Sequence, residues 1–385
     1  MKTVRRLLFA DVLGAVAFVA IAFLALFYFI DFVDEIESVG QGLYRIQHAA
    51  LYCLLLLPGH FYELFPIAVL IGTIYAMARL AQSSEFTILR TAGLGPGRAL
   101  SLLTQLGLAF AALTFVVGDY VGPYFDAKAS QLRTTLRSGG LGGQASSGSA
   151  WLKDRRVVED GDPLGAIAGR EPGREVFDSI YVGSVGPGGK LGDVRIYEFD
   201  ADGRLLLQLA AATAQVGGDA WTLRDVRVAS WQPDSGTAGA LAPGRRIEEL
   251  TWPTRLSPAV VGAVVSPLKS MSTVNLFRYM NHLSQNEQAA QRPEIQFWKK
   301  ALYPLACLVM VGLALPFAYL HARSGGISVK VFGGILLGIS FVLLNNVSTH
   351  LGLLRDWTPW IAAAAPGAFY MLLSMAAFSW LVRFR

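Results

Sequence analysis

The sequence predicts an integral membrane α-helical bundle of six transmembrane helices, with an all-β, jelly-roll-like domain inserted between the third and the fourth. Three observations predict it. Six apolar runs are long enough to cross a bilayer core, which takes about 20 residues of helix. Between Trp151 and Thr254 the helical period gives way to short β-type runs separated by Gly, Pro and Asp. Charge is unevenly divided: mean hydropathy is +0.43 and 16% of the 385 residues are charged, against about 25% in a soluble domain. From Pro123 to Leu268 there are 16 basic and 17 acidic side chains, an ordinary mixture; the rest of the chain holds 17 and 11. The net charge of +5 and the pI of 9.2 therefore come from basic residues at membrane borders, and nucleic acid is excluded as a partner.

The runs lie near 12–33, 49–78, 99–121, 301–320, 327–354 and 358–382. The first follows Met1-Lys2-Thr3-Val4-Arg5-Arg6, which has the charge of a signal-peptide start. Its apolar run is too long, and no small-x-small cleavage site precedes Asp31-Phe32-Val33-Asp34, so it is expected to stay as an anchor. In the second run Pro58, His60, Glu63 and Pro66 are expected to interrupt one half. A carboxylate at membrane depth costs at least ~2.5 kcal/mol unless it faces water or a partner, so Glu63 belongs at an interface or lines a cavity.

Orientation follows from the basic residues beside the spans. With the N-terminus cytoplasmic, the inner segments hold Lys2, Arg5, Arg6, Arg79, Arg90, Arg98, Arg323, Lys330, Arg383 and Arg385, against Asp11 and Glu85. The opposite short loops hold Asp31, Asp34, Glu35, Glu37 and Asp356, with Arg45 and Arg355. Both termini are thus expected in the cytoplasm and residues 123–296 outside it. Residues 1–122 carry spans one to three with a cytoplasmic helix at about 81–93; 123–268 the β domain; 269–296 a connecting helix; 297–385 spans four to six.

Strands are expected at Ala150–Val158, Val176–Val185, Asp193–Asp200, Arg204–Gln215, Ala220–Trp231 and Arg246–Pro253, reached through the Gly/Ser-rich stretch Ser138–Ser149. Alternation, as in Leu205-x-Leu207-x-Leu209 with Val194 and Ile196, gives the strands one face for a core or an acyl groove. Ser272 is placed to cap an amphipathic helix through Leu283, with Val274, Phe277, Met280 and Leu283 on one face. Phe297-Trp298-Lys299-Lys300 marks the interface before span four.

Enzyme chemistry finds no motif. Gly186-Pro187-Gly188-Gly189-Lys190-Leu191 lacks the first glycine and the hydroxyl after lysine that a P-loop uses. There is no G-x-S-x-G, H-E-x-x-H or paired-cysteine pattern. The five histidines lack metal-ligand spacing, and Cys53 and Cys307 fall inside apolar runs as buried thiols. No catalytic residue, metal or cofactor of its own is expected.

The informative connector is Leu80-Ala81-Gln82-Ser83-Ser84-Glu85-Phe86-Thr87-Ile88-Leu89-Arg90-Thr91-Ala92-Gly93. Ser83 or Ser84 caps a short helix and Gly93 ends it. Phe86 and Leu89 form an apolar knob, with Glu85 and Arg90 as flanking charges; such an element fits a groove on a soluble partner.

In order and over nearly the whole length the chain resembles the LptF/LptG family of lipopolysaccharide export permeases. The resemblance is carried by Phe32-Val33-Asp34 with Gly40-Gln41-Gly42, Phe65-Pro66, Leu80-Ala81-Gln82-x-Ser84-Glu85, Ala92-Gly93, Ala211-Ala212-Thr213-Ala214 with Trp221-x-Leu223, and Ala314-Leu315-x-Phe317. The Phe-Val-Asp and Ala-Ala-Thr-Ala segments sit nearer the LptG branch. It implies a bacterial inner-membrane subunit paired with an LptF-like permease over an LptB-like ATPase dimer that binds the ATP. That subunit takes lipopolysaccharide from the outer leaflet, and its periplasmic β domain passes it toward LptC and the LptA bridge. It implies that Ser84, Glu85, Phe86 and Arg90 couple to the ATPase, and that Arg133, with Lys128, Arg137 and Glu63, meets the substrate. One departure stands out: Asp31, Glu35 and Glu37 occupy a rim where the LptG branch often has lysines, so no lysine role transfers to Asp31. The competing readings are a permease for another lipid or lipoprotein, a non-transporting sensor or scaffold, and an integral enzyme.

Overall fold

In the computed structural model the chain divides into two compact units, one of Met1–Ser38, Ala49–Ala129 and Gln291–Arg385, the other of Val39–His48 and Ser130–Ala290. The structure describes residues 2–83, 95–137, 150–158, 173–185, 189–217, 220–230, 245–254, 256, 260–261, 268–285, 290–319 and 326–383.

The first unit is helical. Its elements are α1 (Lys2–Ile36), α2 (Ile46–Gln82) from Ala49 on, α3 (Pro96–Val116), a π-helical turn (Val117–Val121), α4 (Gly122–Arg137) as far as Ala129, α6 (Gln291–Leu302), α7 (Leu305–Tyr319), α8 (Ile327–Leu354) and α9 (Pro359–Arg383). Among the described residues five helical stretches are long and apolar enough to cross a membrane: Arg5–Ile36, Ile46–Gln82, Gly97–Arg133, Ile327–Leu354 and Pro359–Trp380. The sixth span is a bent pair, α6 with α7, turned by 51°. The turn falls at Tyr303-Pro304, where proline has no N–H to continue the ladder. Gly95 caps α3 with Pro96 just inside it, where the missing N–H is harmless.

Contrary to expectation, α2 runs unbroken through Pro58 and Pro66. A helix among other helices tolerates proline when neighbours take up the freed groups; the Tyr303 hydroxyl donates to the Glu63 carbonyl, one residue past the Tyr62 carbonyl that Pro66 leaves without its helical donor. This helix is the centre of the unit: 78% of its apolar stretch is buried, against 11% for α1. Glycines let its neighbours approach. A Cβ at Gly72 would lie 2.6 Å from the Val16 backbone of α1, and Cβ atoms at Gly334 and Gly338 of α8 would lie 2.7 Å from Ile74 and Ile67. Gly334 and Gly338 are four apart, the small-x-x-x-small spacing that brings membrane helices together.

The second unit holds β1 (Ala150–Val157), β2 (Glu175–Val185), β3 (Lys190–Phe199), β4 (Leu205–Val216), β5 (Ala220–Ser230) and β6 (Arg245–Pro253), with α5 (Thr273–Gln285). All six expected strands are present. They form one antiparallel sheet paired in chain order, β1 to β6. The expected jelly-roll-like insert is an antiparallel β domain whose described strands follow a meander; short connections join β2 to β3, β3 to β4 and β4 to β5, and longer ones join β1 to β2 and β5 to β6. One such connection is an Asx turn: Asp200 Oδ1 accepts from Asp202 N at 3.0 Å and Arg204 N at 2.7 Å, with Gly203 at φ +76°.

Alternation places Ile180, Val182, Val194, Ile196, Leu207, Leu209, Leu223 and Val226 in one buried cluster, joined by Leu256, Val260, Val261 and Tyr279. Val194, Ile196, Leu207 and Leu209 are therefore core residues. Trp221 and Trp252 are fully buried at 5.4 Å, and Trp221 Nε1 donates to the Leu256 carbonyl. Ser272 caps α5 by accepting from Asn275 N at 3.2 Å. On α5 Leu276 and Leu283 are buried and Tyr279 half-buried; of the expected face Leu283 is buried and Met280 half-buried, whereas Val274 and Phe277 are exposed. Two apolar stripes compete on this helix, and the one that meets the sheet cluster through Tyr279 wins.

Candidate functional site

A polar cluster sits inside the helical unit and draws on five of its elements. Asp31 of α1 and His60 of α2 are 2.6 Å apart, with the Phe27 ring 5.1 Å from the imidazole. Asp31 thus pairs within its own chain. Two residues along α2, Tyr62 meets the Tyr303 ring at 4.9 Å, and Lys300 of α6 places its Nζ 5.9 Å over the Tyr62 ring. Lys300 is buried, and its charged neighbours are Asp119 of the π turn, also buried, and Asp126 of α4. Asp126 in turn lies in the field of His60, which links the two pairs.

Local sequence explains the arrangement. A π turn inserts one extra residue into a helix and commonly marks a functional position; here it brings Gly118 against the Tyr62 ring and turns Asp119 inward. Gly59 leaves room for Asp126, whose Oδ1 would lie 3.3 Å from a Cβ at that position. Lys300, in the run expected to mark the interface, is buried with Asp119 and Tyr62 beside it. The signal that would have found it is a carboxylate, Asp119, within the third apolar run, because an ionisable group at that depth requires a partner.

The β unit has its own charged centre. Arg156 donates from Nε to Asp178 Oδ2 at 2.8 Å and from a terminal nitrogen to Glu198 Oε2 at 2.6 Å, with all three side chains buried. Its guanidinium stacks 5.8 Å from the Trp252 ring, and Thr254 donates to nearby Asp154 at 2.7 Å. Burial pushes the Asp178 carboxyl up to about 7; Arg156 opposes the shift, and Glu198 and Asp154 add to it. Burial holds the His282 imidazole below its ordinary value, opposed by Asp154. Beside this centre a recess of about 300 Å³ is lined by Lys153, Arg155, Phe177, Ser179, Phe199 and Asp200 among others.

Among the residues singled out in the sequence, Glu63 lies on α2, with an exposed side chain and a carbonyl held by Tyr303. Lys128 of α4 is exposed, with its Nζ 4.5 Å over the Tyr124 ring. Arg133 is half-buried on α4, and Arg137 ends that helix one turn later, its side chain outside the described residues. Ser84, Glu85, Phe86 and Arg90 lie outside the described residues. Cys53 and Cys307 are buried free thiols, with Cys307 Sγ 3.3 Å from the Thr114 hydroxyl.

Comparison with known proteins places the whole chain. The profile of the lipopolysaccharide export system permease LptF/LptG family matches residues 6–381. The chain is 28% identical over 349 residues to the lipopolysaccharide export system permease protein LptG of Escherichia coli K12, covering 90% of this chain and 89% of that protein. It is 26% identical over 375 residues to the protein of the same name from Haemophilus influenzae, covering 97% of each.

Proposed function

The chain belongs to the LptF/LptG family of lipopolysaccharide export system permeases, and we infer that it is the LptG-type subunit of an ATP-driven exporter. It is a multi-pass inner-membrane protein and a transporter permease, not an enzyme. The match across residues 6–381, helices and β insert together, carries this reading.

The finer assignments are part of the proposal. Both termini lie in the cytoplasm and the β unit in the periplasm, as the basic bias of the inner segments requires. An LptF-like permease completes the membrane pathway, an LptB-like ATPase pair binds and hydrolyses the ATP, and LptC with an LptA bridge receives the lipid. Ser84, Glu85, Phe86 and Arg90 form the contact that transmits the ATPase stroke. A carboxylate at a helix start accepts a charge-assisted bond from a partner's Arg or Lys and fixes the register. Arg133, Arg137 and Lys128 on α4 offer cations to the anionic head group, Arg by bidentate contact. Glu63 then lines the path as an acid.

The test is isolation of the tagged chain from its native membrane, with protein and lipid mass spectrometry of the eluate. A six-span homologue, a soluble ATPase and lipopolysaccharide are expected; recovery of the chain alone defeats the exporter. In that complex Glu85→Ala is expected to lower transport-coupled hydrolysis about tenfold or release the ATPase, consistent with loss of one charged hydrogen bond of ~1.5–3 kcal/mol. Unchanged transport and complex yield remove the coupling role.

A further inference from the structure

The buried face of the β sheet is filled by its own core, but the opposite face is unusual over β1 to β3. Alternation turns Trp151 and Lys153 of β1, Ser179 and Tyr181 of β2, and Arg195 and Tyr197 of β3 to that side. Trp151 stands opposite Tyr181 in register, with ring centroids at 5.3 Å. It also reaches past Ser179, the residue paired with Tyr197, to stack on the Tyr197 ring at 6.0 Å and 28°. The small Ser179 leaves the room for this. Trp151 is nevertheless 61% exposed. Its contacts fix the indole in place and leave much of its surface to solvent, an arrangement that serves a ligand better than a core.

We propose that this platform of Trp151, Tyr181 and Tyr197 is a binding surface for the saccharide portion of the transported lipopolysaccharide. The inference rests on the exporter reading. A sugar ring presents a flat face of C–H groups and a rim of hydroxyls, so it stacks on an aromatic plane while polar side chains at the edge take the hydroxyls. Large, rigid aromatic rings give that area at little cost in side-chain entropy. The edge here is polar: Lys153 is exposed, Ser179 lies between the rings, and Arg195, paired with exposed Asp193 at 3.2–3.3 Å, sits 5.7 Å over the Tyr181 ring. Guanidinium and ammonium groups suit the phosphate and carboxylate substituents of an acidic saccharide. The same side chains interrupt the apolar surface and make it a poor seat for an acyl chain. The recess beside it shares Lys153 and Ser179 with the platform and is of mixed charge, with Arg155 and Lys153 against Asp154, Asp178 and Asp200, so it offers room for sugar hydroxyls.

The experiment uses the intact complex with two probes, deacylated lipopolysaccharide oligosaccharide for binding, and lipopolysaccharide of full or truncated sugar length for export from proteoliposomes. Trp151→Ala is expected to weaken oligosaccharide binding about tenfold, the loss of one stacking contact of about 1.4 kcal/mol. It should slow export of the long-sugar lipid several-fold and leave the truncated lipid unchanged, while Trp151→Tyr restores both readouts to near wild type. Equal binding by wild type and Trp151→Ala, or equal slowing of the two lipids, overturns the platform alone. If the wild-type complex exports neither lipid, the exporter reading falls and the platform falls with it.

Discussion

Arg156 in the β unit lies 2.6–2.8 Å from two buried carboxyl groups, whereas Lys300 in the helical unit, equally buried, sits 5.9 Å over an aromatic ring with Asp119 and Asp126 as its charged neighbours. A guanidinium is a rigid fork that fixes both partners in direction; an ammonium is a point charge that compensates acids from several positions. The strands that carry Asp178 and Glu198 are adjacent and paired at those residues, so a fork can be satisfied once and for all. The acids around Lys300 come from the π turn and α4, and the lysine from a segment that ends in a bent helix pair. A point charge remains compensated when such elements shift. The units also differ in packing. The β unit closes its core with Trp221 and Trp252, while the helical unit brings backbones together at glycines and turns Phe18, Ile21, Phe29 and Leu372 outward. That inversion is what a hydrocarbon solvent selects, since outward apolar groups cost nothing there.

The contrast breaks most visibly at Arg156. Arg156→Met leaves Asp178 and Glu198 buried together without a cation, and removing one partner of a buried pair costs about 3–5 kcal/mol. In the full chain in detergent, limited proteolysis should cut the β unit at least a hundredfold faster than in wild type, while the spans stay intact. A variant as resistant as wild type would mean that the two acids share a proton and need no arginine.

Packing gives the next effect. Gly72→Val places a Cβ 2.6 Å from backbone atoms of Val16, where nothing flexible can yield, and overpacking of this kind costs about 1–3 kcal/mol. Gly14→Val is the matched control in α1, since a Cβ there meets nothing within 4 Å. The thermal midpoint of the detergent-solubilised chain should drop for Gly72→Val and hold for Gly14→Val. Equal midpoints would show that α1 does not pack on α2 at this crossing.

These two sites differ in how far sequence announces them. Apolar length announces the spans, and alternation announces six strands and the buried Val194, Ile196, Leu207 and Leu209, because both patterns are local. The break at Pro304 is visible as a residue but not as a 51° bend, since Pro58 and Pro66 lie in a helix that does not break. Proline identity alone does not decide between the two outcomes; the packing around each proline does, and that is not local information. The polar cluster is less legible still. His60 looks like an isolated polar residue inside the second run and Lys300 like an isolated charge near a helix end, and only the fold supplies Asp31, Asp119 and Asp126. Trp151, Tyr181 and Tyr197 look like core candidates until the register sends them to the open face.

The smallest expected effect, and the one with a sign, belongs to Asp178. Its carboxyl is pushed by burial up to about 7 from an ordinary 3.8, so between those values the folded β unit holds a proton that the unfolded chain has lost. Protons bound by the folded state favour it, and their loss with rising pH lowers stability. This group's contribution is therefore full below about pH 4 and is lost as pH rises through 7. Asp178→Asn removes the titration and keeps an oxygen that can accept from Arg156, which remains paired with Glu198. Across pH 5–8 the thermal midpoint of wild type should fall relative to the variant, with the two curves crossing and Asp178→Asn the more stable above pH 7. His282 works in the opposite sense, because its lowered value makes folding less favourable as the pH falls. It is present in both proteins and cancels in their difference. A difference between wild type and variant that does not change from pH 5 to 8 would mean that Asp178 is ionised throughout, so that the Arg156 fork outweighs burial and carries two carboxylates at once.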